Sequence, residues 1–129
     1  MARVLISPHV LSRKLANGDV TFVASDPVNG NSFDNSTQNS ILLARNDDVA
    51  QQTIEIPKRF SADGDDFVQD LLTLEPGETY AFDWFENEYY GWDDVDNDLT
   101  NENAVIINTS DADVMLALLP LGSRTTILA

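Results

Sequence analysis

Cysteine is absent from this 129-residue chain. That excludes a disulfide framework, a thiolate zinc site and a thiol nucleophile, and it suits a cytosolic origin. Histidine occurs once, at His9. A Ser–His–Asp triad would have to use it, and no Gly-x-Ser-x-Gly elbow accompanies it. Beside Pro8 it reads as a surface or packing residue. The six glycines are scattered; none forms a Gly-x-Gly-x-x-Gly or P-loop cradle for phosphate. No apolar run reaches the ~18 residues a membrane span requires. The start, MARVLISPHVLSRKL, is too short and interrupted in its apolar part for a secretory leader and reads as mature sequence. Nothing in the residues calls for a cofactor, and the chain does not read as an enzyme.

Positive charge is scarce and unevenly placed. Seven Lys and Arg face 22 Asp and Glu, a formal net charge of -15. No Lys or Arg lies between Arg59 and Arg124, while 16 acids do. The first 18 residues show the reverse, with Arg3, Arg13 and Lys14 and no acid. A body this anionic repels nucleic-acid backbone and anionic membrane and resists self-aggregation. The polarity suggests one end to grip with and one end left in solvent. The same acid-rich balance would also suit a high-salt habitat.

The chain has the size of one domain and can bury roughly two thirds of its unfolded surface. Its apolar runs are short and bounded by Asn, Asp, Gly and Pro, a strand signature. Eight candidates stand out: Ala2–Ile6, Val20–Ala24, Ile41–Ala44, Thr53–Ile56, Val68–Leu74, Thr79–Phe85, Ala104–Asn108 and Val114–Leu119. A helical turn over Asp65–Leu74 is the alternative for the fifth. Ile54 and Ile56 alternate with Thr53 and Glu55, and Tyr80, Phe82 and Trp84 alternate with Thr79, Ala81 and Asp83. Alternation means one face buried and one wet. Glu75-Pro76-Gly77-Glu78 has type II turn chemistry, with Pro fixing φ and Gly supplying a positive one. Asn46–Asp48 and Ser110–Asp113 read as hairpin connections. The expectation is an all-β, two-sheet antiparallel sandwich, jelly-roll-like, with an immunoglobulin-like sandwich as nearest competitor. Asp26–Asn39 and Glu86–Asn103 read as long loops. An N-terminal arm (1–18), a sandwich (19–122) and a short tail (123–129) complete the expected layout.

Three constellations carry chemistry. Glu86 and Glu88, amid Trp84, Tyr89, Tyr90 and Trp92, are the best pair for a glycosidase, which needs two carboxyls at a defined separation. Asp94, Asp96 and Asp98 have the alternate spacing of a calcium loop, but Leu99 stands where Gly is needed and Val105 where Glu is needed, so this is no EF-hand. Asp63-Gly64-Asp65-Asp66 also lacks the full pattern, and no metal site is assigned. Tyr89, Tyr90 and Trp92 read as an interface or a glycan-stacking platform, since aromatics concentrate at binding hot spots. The two Asn-x-Ser/Thr matches, at Asn35 and Asn108, read as chance.

The stretch Val20-Thr21-Phe22-Val23-Ala24-Ser25-Asp26-Pro27-Val28-Asn29-Gly30-Asn31-Ser32-Phe33 resembles the opening of small proteins encoded in tailed-phage head gene clusters. The strand ending Leu43-Ala44-Arg45-Asn46, the turn Glu75-Pro76-Gly77-Glu78-Thr79 before an aromatic strand, and the last apolar strand Val114–Gly122 follow in the same order. Asp34 stands where the pattern continues with Pro, and Glu86–Glu102 and Ser123–Ala129 fall outside it. The resemblance, over roughly 18–122, implies a tailed-bacteriophage head decoration, or cement, protein. It implies a small β-sandwich, commonly a homotrimer, bound outside the capsid where major capsid protein subunits meet and reinforcing the shell. The expected location is the outer capsid surface of the virion, assembled in the host cytoplasm. The partners are the major capsid protein and other copies of itself, with no nucleic acid and no membrane. The basic N-terminus then reads as a capsid-facing foot. In it, over Met1–Leu15, Arg3, Arg13 and Lys14 pair with capsid carboxylates, and Val4, Leu5, Ile6, Val10 and Leu11 bury against neighbouring subunits. The alternatives are a head-fibre or sugar-binding virion protein and an acidic DNA mimic that blocks a DNA-binding enzyme.

Overall fold

The acidic turns join sheets rather than neighbouring strands. The computed structural model describes residues 2–8, 20–38, 40–58, 70–82, 85 and 87–120. Among them the strands are β1 (Val4–Leu5), β2 (Val23–Ala24), β3 (Asn31–Asp34), β4 (Ser40–Asn46), β5 (Gln52–Ile56), β6 (Asp70–Leu74), β7 (Thr79–Phe82), β8 (Trp92–Asp94), β9 (Leu99–Thr109) and β10 (Val114–Pro120). A one-turn helix, α1 (Asn87–Tyr90), and a 3-10 turn (Val95–Asn97) flank β8. The first sheet runs β1-β3-β9-β5-β6, with β8 also paired to β9, and the second runs β2-β10-β4-β7. Four connections, β2 to β3, β4 to β5, β6 to β7 and β9 to β10, each leave one sheet and enter the other. Eight strands so connected form the double Greek key of a jelly roll, as the sequence pattern implies.

The segments 41–57 and 105–120 are therefore not hairpins. They lie side by side. β4 pairs antiparallel with β10 from Asn46↔Val114 to Ser40↔Pro120, and β5 pairs with β9 at Ile54↔Thr109 and Glu55↔Asn108. Local turn chemistry is legible in sequence, but which strand completes the ladder is a long-range choice. The turn over Glu75–Glu78 has the expected geometry: φ is 79° at Gly77, and the Glu78 N–H donates to the Glu75 carbonyl at 3.0 Å. Val68–Leu74 resolves as strand from Asp70 onward; residues 59–69 lie outside the described residues.

Alternation fills the core between the sheets. Leu42 and Ala44 of β4, Ile54 and Ile56 of β5, Val105 and Ile107 of β9, and Val114, Leu116 and Leu118 of β10 pack with Phe33 and Phe85. Burying a side chain the size of Phe33 contributes about 1.5–3 kcal/mol. Tyr80 and Phe82 point to this side too, opposite Ala44 and Leu42. Tyr80 stays 44% exposed because β7 is an edge. Trp84 lies outside the described residues.

Two elements depart from the expected layout. Asp26–Asn39 contains β3, whose Phe33 is fully buried. Within 86–103, β8 folds back on β9. The N-terminal residues 2–8 are also built into the sandwich rather than hanging from it as an arm. β1 pairs parallel with β3, Ile6 is 3% exposed within the core, and Pro8 bridges to Leu118 of the second sheet. Residues 2–8 thus lace one open side of the sandwich.

Candidate functional site

Three surfaces take shape from these elements. The first is the outer edge of β1. Val4 and Ile6 donate their N–H groups to Gly30 and Ser32, so Leu5 faces away from β3 along the backbone. Val4 and Leu5 are 47% and 43% exposed. Arg3 is half-buried, and its carbonyl accepts from Asn97 Nδ2 at 3.0 Å. That contact brings the 3-10 turn, with its exposed Val95, beside β1. Of the residues assigned to a foot, Val4 and Leu5 are exposed and Arg3 is half-buried. Ile6 is buried, because it fills the protein's own core. Val10, Leu11, Arg13 and Lys14 lie outside the described residues.

The second surface is the end of the sandwich that carries the four corners. Asp47 N–H donates to the Asp113 carbonyl, Gly77 N–H to the Asn46 carbonyl, and Ser25 Oγ to the Asp111 carbonyl. These bonds draw together turns that are far apart in sequence. Asp26, Asp47, Asp48, Glu75, Glu78, Asp111 and Asp113 thereby share one end. Oxygens of Asp48, Asp111 and Asp113 lie within 4.8 Å of one another. The Asn29 N–H, the Asn29 side-chain amide and the Val28 N–H all donate to Asp26 and hold its carboxyl below its ordinary pKa. Arg45 makes a two-bond contact with Asp47 at 2.6 and 3.0 Å. Sequence reading missed this clustering, since no single turn is dense enough to signal it.

The third surface is the outer face of the second sheet. Residues that alternate with the core positions point outward: Ile41, Leu43 and Arg45 on β4, and Met115, Ala117 and Leu119 on β10. Thr79 and Ala81 on β7, and Ala24 with the neighbouring Phe22 on the β2 side, extend the face. None of these is acidic. On the opposite sheet, outward positions on β3 and β9 are covered, while Leu71 of β6 is 64% exposed. Ser32 and Ile106 point outward from it yet are buried, and the 92–103 segment reaches across by bonding Ser32 and Arg3.

The aromatic and calcium readings resolve into internal contacts. Tyr90 packs edge-on against Phe85 with ring centroids 4.9 Å apart, and Lys58 Nζ sits 5.4 Å from its ring centre. Trp92 Nε1 donates to the Pro57 carbonyl. Tyr89, Tyr90 and Trp92 are all half-buried, and Tyr90 and Trp92 make part of their contacts inside the fold. Glu88 lies in α1; Glu86 lies outside the described residues. Asp94 does not join Asp96 and Asp98 in a loop site. It is 2% exposed and accepts from Ser32 Oγ at 2.6 Å and Asn97 Nδ2 at 2.9 Å. Asn35 is fully buried, which closes it to glycan attachment.

Asp94 anchors the 92–103 hairpin to the sheet. Asp94→Ala is expected to cost about 1–3 kcal/mol, the range for leaving buried hydrogen-bonding groups without a partner. Amide exchange should accelerate through 92–103 while β4 and β10 keep their protection. Unchanged exchange in the hairpin would show that the contact is not its anchor.

No protein-family model matches this sequence, and no curated protein or solved structure matches it. No helix among the described residues is long and apolar enough to cross a membrane.

Proposed function

We propose that the protein is a decoration, or cement, protein of a tailed-bacteriophage head. It binds the outer surface of the capsid and reinforces the major capsid shell. The observation that carries this reading is the separation of acid from apolar surface. Seven carboxylates gather on the corner end, while the strands β1, β2, β4, β7 and β10 contain no acid; beside β1, among the described residues, stands the exposed Asp96 of the 3-10 turn. Such a molecule grips with its acid-free strands and turns an anionic end to solvent, where it keeps decorated particles apart. The order of motifs from Val20 to Gly122 supports the same reading.

In this proposal the β1 edge faces the capsid. Leu5 and Val4 supply apolar contact at ~25 cal/mol per Å² buried, less the cost of association. Arg3 adds an ion pair of ~0–1 kcal/mol. Several copies held together would turn weak feet into avid binding. Deleting residues 2–8 is a poor test, because it removes Ile6 from the core. The double substitution Arg3→Glu, Leu5→Glu leaves Ile6 in place. It is expected to weaken binding to purified capsids by roughly tenfold or more, about 1.4 kcal/mol, with the melting temperature retained. Full binding by this variant would remove the β1 edge from the interface. Mass spectrometry of virions tests the role itself: a copy number comparable to the major capsid protein supports decoration, and a handful of copies supports a fibre component.

The gathering of carboxylates at one end also favours a second reading, a mimic of phosphate backbone directed at a DNA-binding protein. Absence from virions, with competition against DNA for a basic partner, would establish it in place of the first.

A further inference from the structure

We propose that Asn29 is a deamidation site: its side-chain amide becomes a carboxylate at a rate set by Asp26, and the new charge loosens β1. The inference does not depend on the capsid reading.

The sequence supplies the reacting groups. Asn29 is followed by Gly30. With no Cβ, a glycine leaves its own backbone nitrogen open to close approach and its φ free. That nitrogen attacks Asn29 Cγ. The new C–N bond closes a succinimide ring, and Nδ2 leaves as ammonia, taking the proton of Gly30 N. Water then opens the ring at either carbonyl, its hydroxyl going to carbon and its proton to nitrogen, to give aspartate or isoaspartate. Solvent is the one co-reactant. The chain's other Asn-Gly pair, Asn17-Gly18, lies outside the described residues.

The fold holds the reaction back. Asp26 closes the corner as a helix cap does: its Oδ1 accepts from the Val28 and Asn29 N–H groups, each at 3.0 Å. Its Oδ2 accepts from Asn29 Nδ2 at 3.0 Å, which ties down the amide that must react. The Gly30 N–H, the attacking group, is itself bonded to the Asp26 carbonyl at 2.9 Å, and Gly30 is buried. The Asn29 N–H above all holds the Asp26 carboxyl below its ordinary pKa, so this clasp is ionised at neutral pH. Deamidation therefore runs through local opening of the turn. Val28 is 79% exposed, so its side chain adds little packing to oppose that opening.

The product cannot close the same turn. The Nδ2 donor is replaced by an oxygen facing Asp26 Oδ2, and two carboxylates so placed disfavour each other's charge. Isoaspartate also adds a main-chain carbon between residues 29 and 30. β1 is seated on this corner. Val4 N–H donates to the Gly30 carbonyl at 3.0 Å. Asn31 Nδ2 donates to the Val4 carbonyl at 3.2 Å, while Asn31 Oδ1 accepts from the Asp26 N–H at 2.8 Å.

Mass spectrometry of the full chain, incubated at mildly alkaline pH in native buffer or in urea and then digested, tests this. Fragment spectra separate Asn29 from Asn17. Asn29 is expected to deamidate in urea and roughly tenfold or more slowly in native buffer, a comparison that needs no variant. In native buffer Asp26→Ala should speed the reaction by roughly fivefold or more, the effect of a lost capping side chain on the open population. Circular dichroism confirms that the variant is folded. Asn29→Asp carries the product's charge and should accelerate amide exchange at Val4 and Ile6 while β4 and β10 keep their protection. Asn29→Gln, neutral and slow to cyclise, should stay unmodified and exchange there more slowly than Asn29→Asp. An Asn29 that stays intact in both solvents would overturn the site. Equal rates in native buffer and urea, or an Asp26→Ala rate no faster than that of the unsubstituted chain, would overturn its control by the turn. Unchanged exchange at Val4 in Asn29→Asp would overturn the link to β1.

Discussion

Gly91→Ala is expected to destabilise the protein more than any single truncation on its surface. Gly91 links α1 to β8. A Cβ there would lie 1.9 Å from the Glu102 carbonyl oxygen and 2.5 Å from that of Asn87. Both are backbone atoms, so neither can swing away as a side-chain end would. The crowding arises from β9. Asn101 and Glu102 adopt φ of 60° and 59°, a left-handed kink that aims the Glu102 carbonyl at Gly91. The Asp93 carboxylate holds the kink by accepting from the Glu102 N–H at 2.8 Å. Making room for a methyl group means pulling the hairpin off the sheet or breaking the bond from Gly91 N–H to the Asn87 carbonyl. A loss of about 3–5 kcal/mol is expected, in the tail of single-substitution effects and a large part of a typical total of about 5–15. The urea midpoint reads it directly, with the slope unchanged if only stability is altered. A shift equivalent to less than ~1 kcal/mol would show that this close approach is not rigid.

Asn46→Asp is expected to be nearly as damaging, although it changes one atom. Asn46 is fully buried. Its Nδ2 donates to the carbonyls of Ala50 and Leu74 at 2.8 and 3.0 Å, and its Oδ1 accepts from the Asp48 N–H. Its own backbone bonds Gly77 and Glu78. One side chain thus ties the β4–β5 corner to the β6–β7 corner. A carboxylate has no hydrogens to give those two carbonyls and adds a buried charge beside them. Asn46→Ala leaves the same groups unpaired without the charge, at about 1–3 kcal/mol for each group that water cannot reach. The carboxylate variant should therefore be the less stable of the two at neutral pH. Its carboxyl would be held protonated in the folded state, which raises the folded pKa above the unfolded one. Stability is then fully retained below the unfolded pKa and lost as pH rises through the folded pKa. Urea titrations in mildly acidic and neutral buffer measure this. Equal stability of Asn46→Asp and Asn46→Ala at both pH values would mean that solvent reaches the site.

Much of the sandwich was legible because alternation is a local signal. Ile54 and Ile56, or Leu42 and Ala44, announce a buried face without reference to any other strand. The misreadings share a cause. Asn46–Asp48 and Ser110–Asp113 have hairpin residues but make corners, because a reversal of chain direction looks the same whether the next strand stays in the sheet or crosses to the other. β3 was hidden because Asn31 and Ser32 are polar yet buried. Asn31 is satisfied by the Asp26 N–H and the Val4 carbonyl, and Ser32 by Asp94. A run of apolar residues at the N-terminus suggested a foot, but hydrophobicity alone does not say whether a residue serves a partner or its own core. Ile6 serves the core; Val4 and Leu5 do not. The aromatic cluster shows the same ambiguity, since Tyr90 and Trp92 spend their contacts internally.

By itself the amino-acid order determined the class of fold, the existence of eight of the ten described strands, the type II turn and the polarity of charge, all set by residue type and short-range spacing. The tertiary structure decided which strands pair, and with that what the surfaces are. Asp26, Asp48, Glu75 and Asp113 become one acidic end only when four corners meet. Leu43, Ala81 and Ala117 become one neutral face only when three strands from distant parts of the chain lie in register. Surface chemistry of this kind belongs to neighbours in space, and pairing between remote strands depends on the whole set of buried contacts.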